Sequence, residues 1–354
     1  MEFADLIKEY RAKLEAKHGR RMSYPHRRLL DDIVRCRTPE AGEMIILCPD
    51  CSQVLRASPS CGHRNCPSCQ NYETKSWIDR QREKLLPVVY FLVTFTVPFC
   101  LRAVAKNYER EFYAAMFEES VNVLRWFGAM EKVLGGDIGM TGVLHTNSRK
   151  LDYHPHIHFL VPGGAIDAKK RFWKQKGANF LARGTALATA FRKRLLRRLA
   201  KKGWEIPPKA RCGKWVVNCK RAGSGEPALV YLSRYLYRGV ISEKHIIENR
   251  DGKVTFRYKN SRTKNWEKRT LSGEDFLWLV IQHVLPRGFR RVRDFGFLHG
   301  NAKKTLRLIQ LLLSVHIQQS EPKARPTFLC PRCQKKMVII AVRRPVLNGP
   351  CSPP

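Results

Sequence analysis

Acidic residues are scarce in this chain of 354 residues. Thirty Asp plus Glu stand against 66 Lys plus Arg, a formal net charge of +36. That excess is far beyond what solubility requires and points to a long polyanion, nucleic acid, rather than a small substrate. Long apolar runs are lacking as well. The two longest, 88–97 and 306–315, fall short of the ~20 residues that a spanning helix needs, so no membrane partner is expected. Residues 1–10 are acidic and amphipathic without an apolar signal core, which predicts a cytoplasmic, nucleoid-associated protein. No internal repeat and no low-complexity tract interrupts the chain. With 44% hydrophobic residues it has ample material for two or three compact units.

Twelve cysteines are present, and without an export signal their close pairing reads as metal binding rather than disulfides. Cys48-Pro49-Asp50-Cys51 and Cys66-Pro67-Ser68-Cys69 are CxxC knuckles, each able to bring two thiolates to one tetrahedral Zn²⁺. Cys48, Cys51, Cys66 and Cys69 are therefore the expected zinc ligands. Cys61 and His63, between the knuckles, are candidate additional ligands, and Cys36 precedes them. Cys330 and Cys333 offer half a site, with Cys351, another subunit or nothing as the other half. Cys100, Cys212 and Cys219 read as ordinary thiols.

The stretch 153–163 reads Tyr-His-Pro-His-Ile-His-Phe-Leu-Val-Pro-Gly. Side chains two apart on a strand share a face, so His154, His156 and His158 project together and can grip one cation. A hairpin with strands at 139–146 and 153–161, joined near 150–151, sets His145 opposite His156. His145 is preferred as third ligand to His154, which Pro155 and the strand entry tilt off register, with a Gln, Glu or Asp from elsewhere as the alternative.

Residues 226–238 read as a helix. At about 100° per residue, Tyr231, Tyr235 and Arg238 form one stripe, while Leu229, Leu232, Leu236 and Val240 gather on the other side. Packing thus falls to the leucines. A phenol with a reference pKa near ~10 is a weak nucleophile, but a cation that draws charge from a phosphodiester makes attack feasible, and Arg234 or Arg238 can balance the developing charge. Histidines plus tyrosines suggest DNA cleavage through a phosphotyrosine.

A His-hydrophobic-His strand followed by Tyr-x-x-x-Tyr resembles the HUH endonuclease superfamily. Within it, the ordered set 66–70 (CPSCQ), 154–158 (HPHIH), 161–164 (VPGG), 231–235 (YLSRY), 282–286 (QHVLP) and 295–297 (FGF) is similar to the two-tyrosine transposases of the insertion sequence ninety-one family. The resemblance implies rolling-circle transposition of an insertion sequence, with single-stranded DNA and transposon ends as partners. It implies His156 and His158 as ligands of Mg²⁺ or Mn²⁺, and Tyr231 and Tyr235 as nucleophiles. Asn65 departs from the family pattern, which has a His there. No GxxxxGK[ST] loop is present, so unwinding is expected from host replication or helicase proteins. Two other readings fit these residues: an HUH replication initiator or relaxase, and a non-catalytic zinc-containing nucleic-acid-binding protein.

The expected fold is α/β (α+β) of the HUH endonuclease type, with a central, mostly antiparallel sheet, helices on one side, and a zinc-ribbon-like module in front. The expected division is a helical lead-in (1–35), a zinc-binding module (36–75), a catalytic domain (76–271), a helical basic region (272–320) and a tail with the last CxxC (321–354). Helices are expected over 101–134, 172–202 and 273–316.

Overall fold

A computed structural model describes residues 2–69, 71–167, 169, 171–175, 181–233, 240–260, 262–315 and 327–344. Two helices, α1 (Phe3–His18) and α2 (Tyr24–Arg35), precede strands β1 (Glu43–Leu47) and β2 (Val54–Ala57) and helix α3 (Asn71–Arg82). Next come β3 (Tyr90–Thr96), α4 (Arg102–Asn107), α5 (Glu109–Ala129), β4 (Met140–Asn147), β5 (Tyr153–Pro162), β6 (Gly164–Asp167) and β7 (Phe172–Gln175). Helices α6 (Gly184–Lys201) and α7 (Lys209–Cys212), strand β8 (Val216–Gly223) and helix α8 (Glu226–Ser233) follow. The remainder comprises β9 (Ile246–Arg250), β10 (Lys253–Lys259), β11 (Trp266–Ser272), α9 (Gly273–Ile281), β12 (Val292–Phe295), α10 (Lys303–Leu312) and β13 (Val338–Arg343).

The central sheet has the order β12-β4-β5-β3-β8, and every pairing in it is antiparallel. Alternation along β3 and β5 sends Phe91, Val93, Phe95, Ile157, Phe159 and Val161 to one face, where they form a core with α5 and α6. Phe95 and Phe159 meet edge-on, with ring centroids 5.8 Å apart. The histidine face carries Tyr90, Val143 and Leu160 at its other end, covered by Trp77 of α3, Leu229 and Leu232 of α8 and Ile309 of α10. Helices thus cover both faces, not one, because Leu160 and Val143 extend an apolar surface beyond the histidines that water would otherwise touch.

Three expected helices are corrected. The 172–202 pattern begins as strand β7, which pairs with β6 and lays Trp173 on Gly164. A Cβ on Gly164 would come within 2.1 Å of that indole, so only glycine admits the ring. The 273–316 pattern divides into α9 and α10 around β12, an edge strand beside β4. Pro286, Gly288 (φ 74°) and Gly296 (φ 60°) enforce the breaks. The 101–134 pattern divides at Tyr108 (φ −127°, ψ 46°) into α4 and α5.

A second core joins sequence-distant segments: Phe3, Leu6, Tyr10, Leu29 and Leu30 of α1 and α2 pack with Val254 and Phe256 of β10 and Phe276, Leu277 and Ile281 of α9. α9 is apolar and buried, unlike the basic helix expected there. The sheet β11-β10-β9 carries this core on one face, and its β9–β10 turn is made by Asp251 (φ 51°) and Gly252 (φ 71°), both left-handed. A third sheet has the order β13-β1-β2, so the last described strand pairs with the first.

Candidate functional site

The β4–β5 hairpin carries the histidines. Its register sets His145 opposite His156 and Val143 opposite His158, and the ligand nitrogens of His145, His156 and His158 all lie within 4.8 Å of one another. Ring centroids are 5.2 Å apart for His145 and His156, 4.6 Å for His145 and His158, and 4.9 Å for His156 and His158. Among the described residues no carboxylate or cysteine joins this group. His154 shares the face but is turned to another partner: Nη2 of Arg102 donates to its Nδ1 at 2.5 Å.

Hydrogen bonds at Nδ1 orient two of the rings. His156 Nδ1 bonds the backbone carbonyl of His154 at 2.7 Å, and His158 Nδ1 bonds Oγ1 of Thr94, its cross-strand neighbour on β3, at 2.8 Å. Each ring then offers Nε2 to a cation, the arrangement by which outer contacts set imidazole tautomer and direction. Burial keeps all three neutral, as ligation demands. Desolvation lowers His156 to about 4 and His158 to about 3, and it carries His145 well below the usual imidazole value, helped by the nearby charge of Arg291.

The turn that fixes this register is braced from outside the hairpin. Leu151 adopts a left-handed φ of 67°, and Ser148 Oγ accepts from the backbone N–H groups of Lys150 and Asp152. His283, after α9, bonds the Leu151 carbonyl through Nε2 at 2.7 Å, and Arg269 of β11 donates to the Lys150 carbonyl (2.7 Å) and to Asp152 Oδ1 (2.8 Å). Thr94, His283 and Arg269 were not singled out from sequence as site supports. Thr94 was accessible only through strand pairing, whereas His283 lay inside a motif already noticed.

The tyrosine helix is described in part. Tyr231 lies on α8, whose Leu229 and Leu232 pack against the histidine-bearing sheet face; Tyr235 and Arg238 lie outside the described residues. Tyr153, beside the histidines in sequence, is bound instead to the Tyr113 hydroxyl at 2.6 Å, and burial raises its phenol far above the usual value.

The cysteines regroup. Cys48, Cys51, Cys66 and Cys69 do not meet at one point: Cys66 and Cys69 lie with Cys36 and Cys61, while Cys48 and Cys51 lie with Cys330 and Cys333. The reason is the β1–β2 hairpin, which carries the first knuckle to the tip of the third sheet, while the second knuckle packs against the α1–α2 core. In the group of Cys36, Cys61, Cys66 and Cys69, sulfur separations of 3.3, 3.7 and 3.8 Å accompany N–H···S contacts from Cys61 and His63. Tetrahedral zinc with Zn–S near 2.3 Å needs S···S separations of about 3.8 Å, so this set fits Zn²⁺. His63 stands outside the sulfur group, its Nδ1 accepting from the backbone N–H of Asn65 at 3.1 Å.

Comparison with known proteins gives matches in both the cysteine-rich and the histidine-bearing parts of the chain. Residues 3–97 match the family described as "Transposase zinc-binding domain", and residues 139–305, spanning the histidine hairpin and α8, match "Putative transposase". "Putative transposase y4qJ" of Sinorhizobium fredii is 31% identical over 392 residues, covering 100% of this chain and 97% of that protein. "Transposase for insertion sequence element IS801" of Pseudomonas savastanoi pv. phaseolicola is 29% identical, covering 70% of this chain and 63% of the relative. No solved structure matches at the same stringency. A zinc-binding front, a histidine-bearing antiparallel sheet and full-length similarity lead to one assignment: the chain is a DNA transposase of the IS91 family.

Proposed function

We propose that this transposase cuts and rejoins single DNA strands through 5′-phosphotyrosine intermediates during rolling-circle transposition, with Tyr231 and Tyr235 as nucleophiles. The observation that carries the reading is the trio of neutral imidazoles, two of them oriented by hydrogen bonds, on the sheet face against which α8, the Tyr231 helix, also packs. His145, His156 and His158 hold a divalent cation. Three nitrogen donors, joined by no carboxylate among the described residues, suit Mn²⁺ better than Mg²⁺, which prefers oxygen. When bound, such a cation draws charge from a non-bridging phosphate oxygen and steadies the leaving 3′ oxygen.

The tyrosine hydroxyl releases its proton as its oxygen attacks phosphorus, the bond to the 3′ oxygen breaks, and the 5′ phosphate stays on the enzyme while the freed 3′ oxygen takes up a proton in exchange for the one released. Because one phosphodiester replaces another, no energy cofactor is needed. Arg238 offsets the added negative charge. The excess of basic residues holds the strand, and the enzyme acts at the nucleoid in the cytoplasm, host replication or helicase proteins opening the duplex.

Single-stranded oligonucleotides bearing element ends, incubated with the full chain and Mn²⁺ or Mg²⁺, are expected to yield a covalent 5′ adduct. The adduct disappears in a Tyr231→Phe, Tyr235→Phe double variant. Cleavage that survives in the double variant excludes the phosphotyrosine mechanism.

A further inference from the structure

Six cysteines lie in the N-terminal quarter of the chain, too few to fill two four-sulfur sites. One set of four is complete there, which leaves Cys48 and Cys51 as a half-site. Their complement comes from 285 and 279 residues away: Cys48 Sγ is 3.5 Å from Cys333 Sγ, and Cys51 Sγ is 3.5 Å from Cys330 Sγ. All four sulfurs lie within 4.8 Å of one another.

The two knuckles are built alike. In the first, the backbone N–H of Ser52 donates to the Cys48 carbonyl (2.9 Å) and the N–H of Cys48 to the Gln53 carbonyl (2.9 Å). In the second, Gln334 donates to the Cys330 carbonyl (2.8 Å) and Cys330 to the Lys335 carbonyl (2.8 Å). The residue after the second cysteine is left-handed in both, Ser52 at φ 57° and Gln334 at φ 60°. Non-glycine residues rarely adopt that conformation. Its appearance twice, at the same place in two segments far apart in sequence, marks a shape that wraps a tetrahedral ion. Around the sulfurs, β13 pairs with β1, Ile46 and Met337 pack beneath them, and Lys335 Nζ bonds Asp50 Oδ1 at 2.8 Å from one knuckle to the other.

We propose that Cys48, Cys51, Cys330 and Cys333 form a second zinc site, a ribbon split between the two ends of the chain, which fastens the C-terminal strand to the N-terminal module. On binding, four Zn–S bonds form and the thiol protons pass to solvent, so assembly releases protons. Four buried or half-buried sulfurs without a nitrogen or oxygen donor select zinc over Mg²⁺ or Mn²⁺. Beyond its ladder to β1, the strand buries little apolar surface, since Val338, Ile339, Ile340 and Val342 are all exposed, so the ion adds a fastening that packing does not supply. The site is independent of the strand-transfer chemistry proposed above.

Metal analysis of the purified full chain reads the proposal directly, with two zinc ions per chain expected. Alkylation of the native protein, mapped by mass spectrometry, is expected to spare Cys48, Cys51, Cys330 and Cys333, and chelation to make all four react together. A Cys330→Ser, Cys333→Ser double variant is expected to hold one zinc ion and to keep Cys36, Cys61, Cys66 and Cys69 protected. One zinc ion in the parent chain overturns the proposal. So does alkylation of Cys330 and Cys333 in the zinc-loaded protein, or their continued protection after chelation.

Discussion

Replacing Thr94 by valine removes one atom that matters to the histidine site and little else. The Thr94 hydroxyl lies 2.8 Å from His158 Nδ1, on the ring edge opposite the Nε2 proposed to meet a cation, and His158 is only 8% exposed, so water cannot readily replace that contact. Loss of such an orienting partner typically weakens metal binding by about 10–100-fold, or about 1.4–2.7 kcal/mol. Valine keeps the β-branch and the backbone ladder to His158 and Asn218, so the expected loss of folding stability is that of one hydrogen bond, about 1 kcal/mol. Calorimetric titration of the full chain with Mn²⁺ is the assay, with Thr94→Ser as the variant that should recover affinity. Mn²⁺ affinity in Thr94→Val equal to that of the parent would refute the idea that Thr94 sets the His158 ring.

Two further perturbations test the frame around the site. Gly273→Ala places a Cβ 2.3 Å from the Tyr10 ring, which is fully buried between α1 and α9, so a lower thermal midpoint and a loss of about 1–3 kcal/mol are expected. An unchanged midpoint would mean that the two helices separate freely. The second perturbation is acid. Burial lowers His283 to about 3 and His26 to about 4. Below pH ~6.5 the unfolded chain takes up protons that these folded imidazoles refuse, so stability is full above that pH and declines as pH falls toward 4 and 3. Each group contributes a slope of up to about 1.4 kcal/mol per pH unit. Urea unfolding at pH 7 and pH 5 should show a smaller drop for His283→Gln than for the parent, a comparison in which zinc loss is common to both; equal drops would sink the assignment.

Much of the histidine-bearing sheet was legible in the sequence because its signals are local. The two-residue period of 154–158 places three imidazoles on one face whatever the rest of the chain does, and a hairpin length is enough to set His145 against His156. The cysteine pairs announce zinc for the same reason: a CxxC knuckle closes within its own few residues. Which knuckle shares an ion with which is a different matter. Every CxxC is an equivalent half-site, and nothing between residues 51 and 330 encodes that their chain segments meet. The nearer pair, Cys66 and Cys69, was the natural partner for Cys48 and Cys51, but the path of β1 and β2 took them elsewhere.

Local pattern also failed where a long-range partner outweighed it. Residues 172–175 carry helical periodicity, yet β6 and Gly164 hold them extended. The strand 292–295 was hidden inside a helical pattern until β4 offered it an edge. The sequence alone determined the basic charge, the histidine face, the leucine side of α8 and the metal-binding knuckles, since composition and short periods decide each of these. Tertiary structure decided the rest: the ring contacts that aim His156 and His158, the bracing of Leu151 by His283 and Arg269, the helices on both faces of the sheet, and the meeting of Cys48 and Cys51 with Cys330 and Cys333. Those depend on which surfaces find one another when the chain closes, and such pairings are a property of the whole fold.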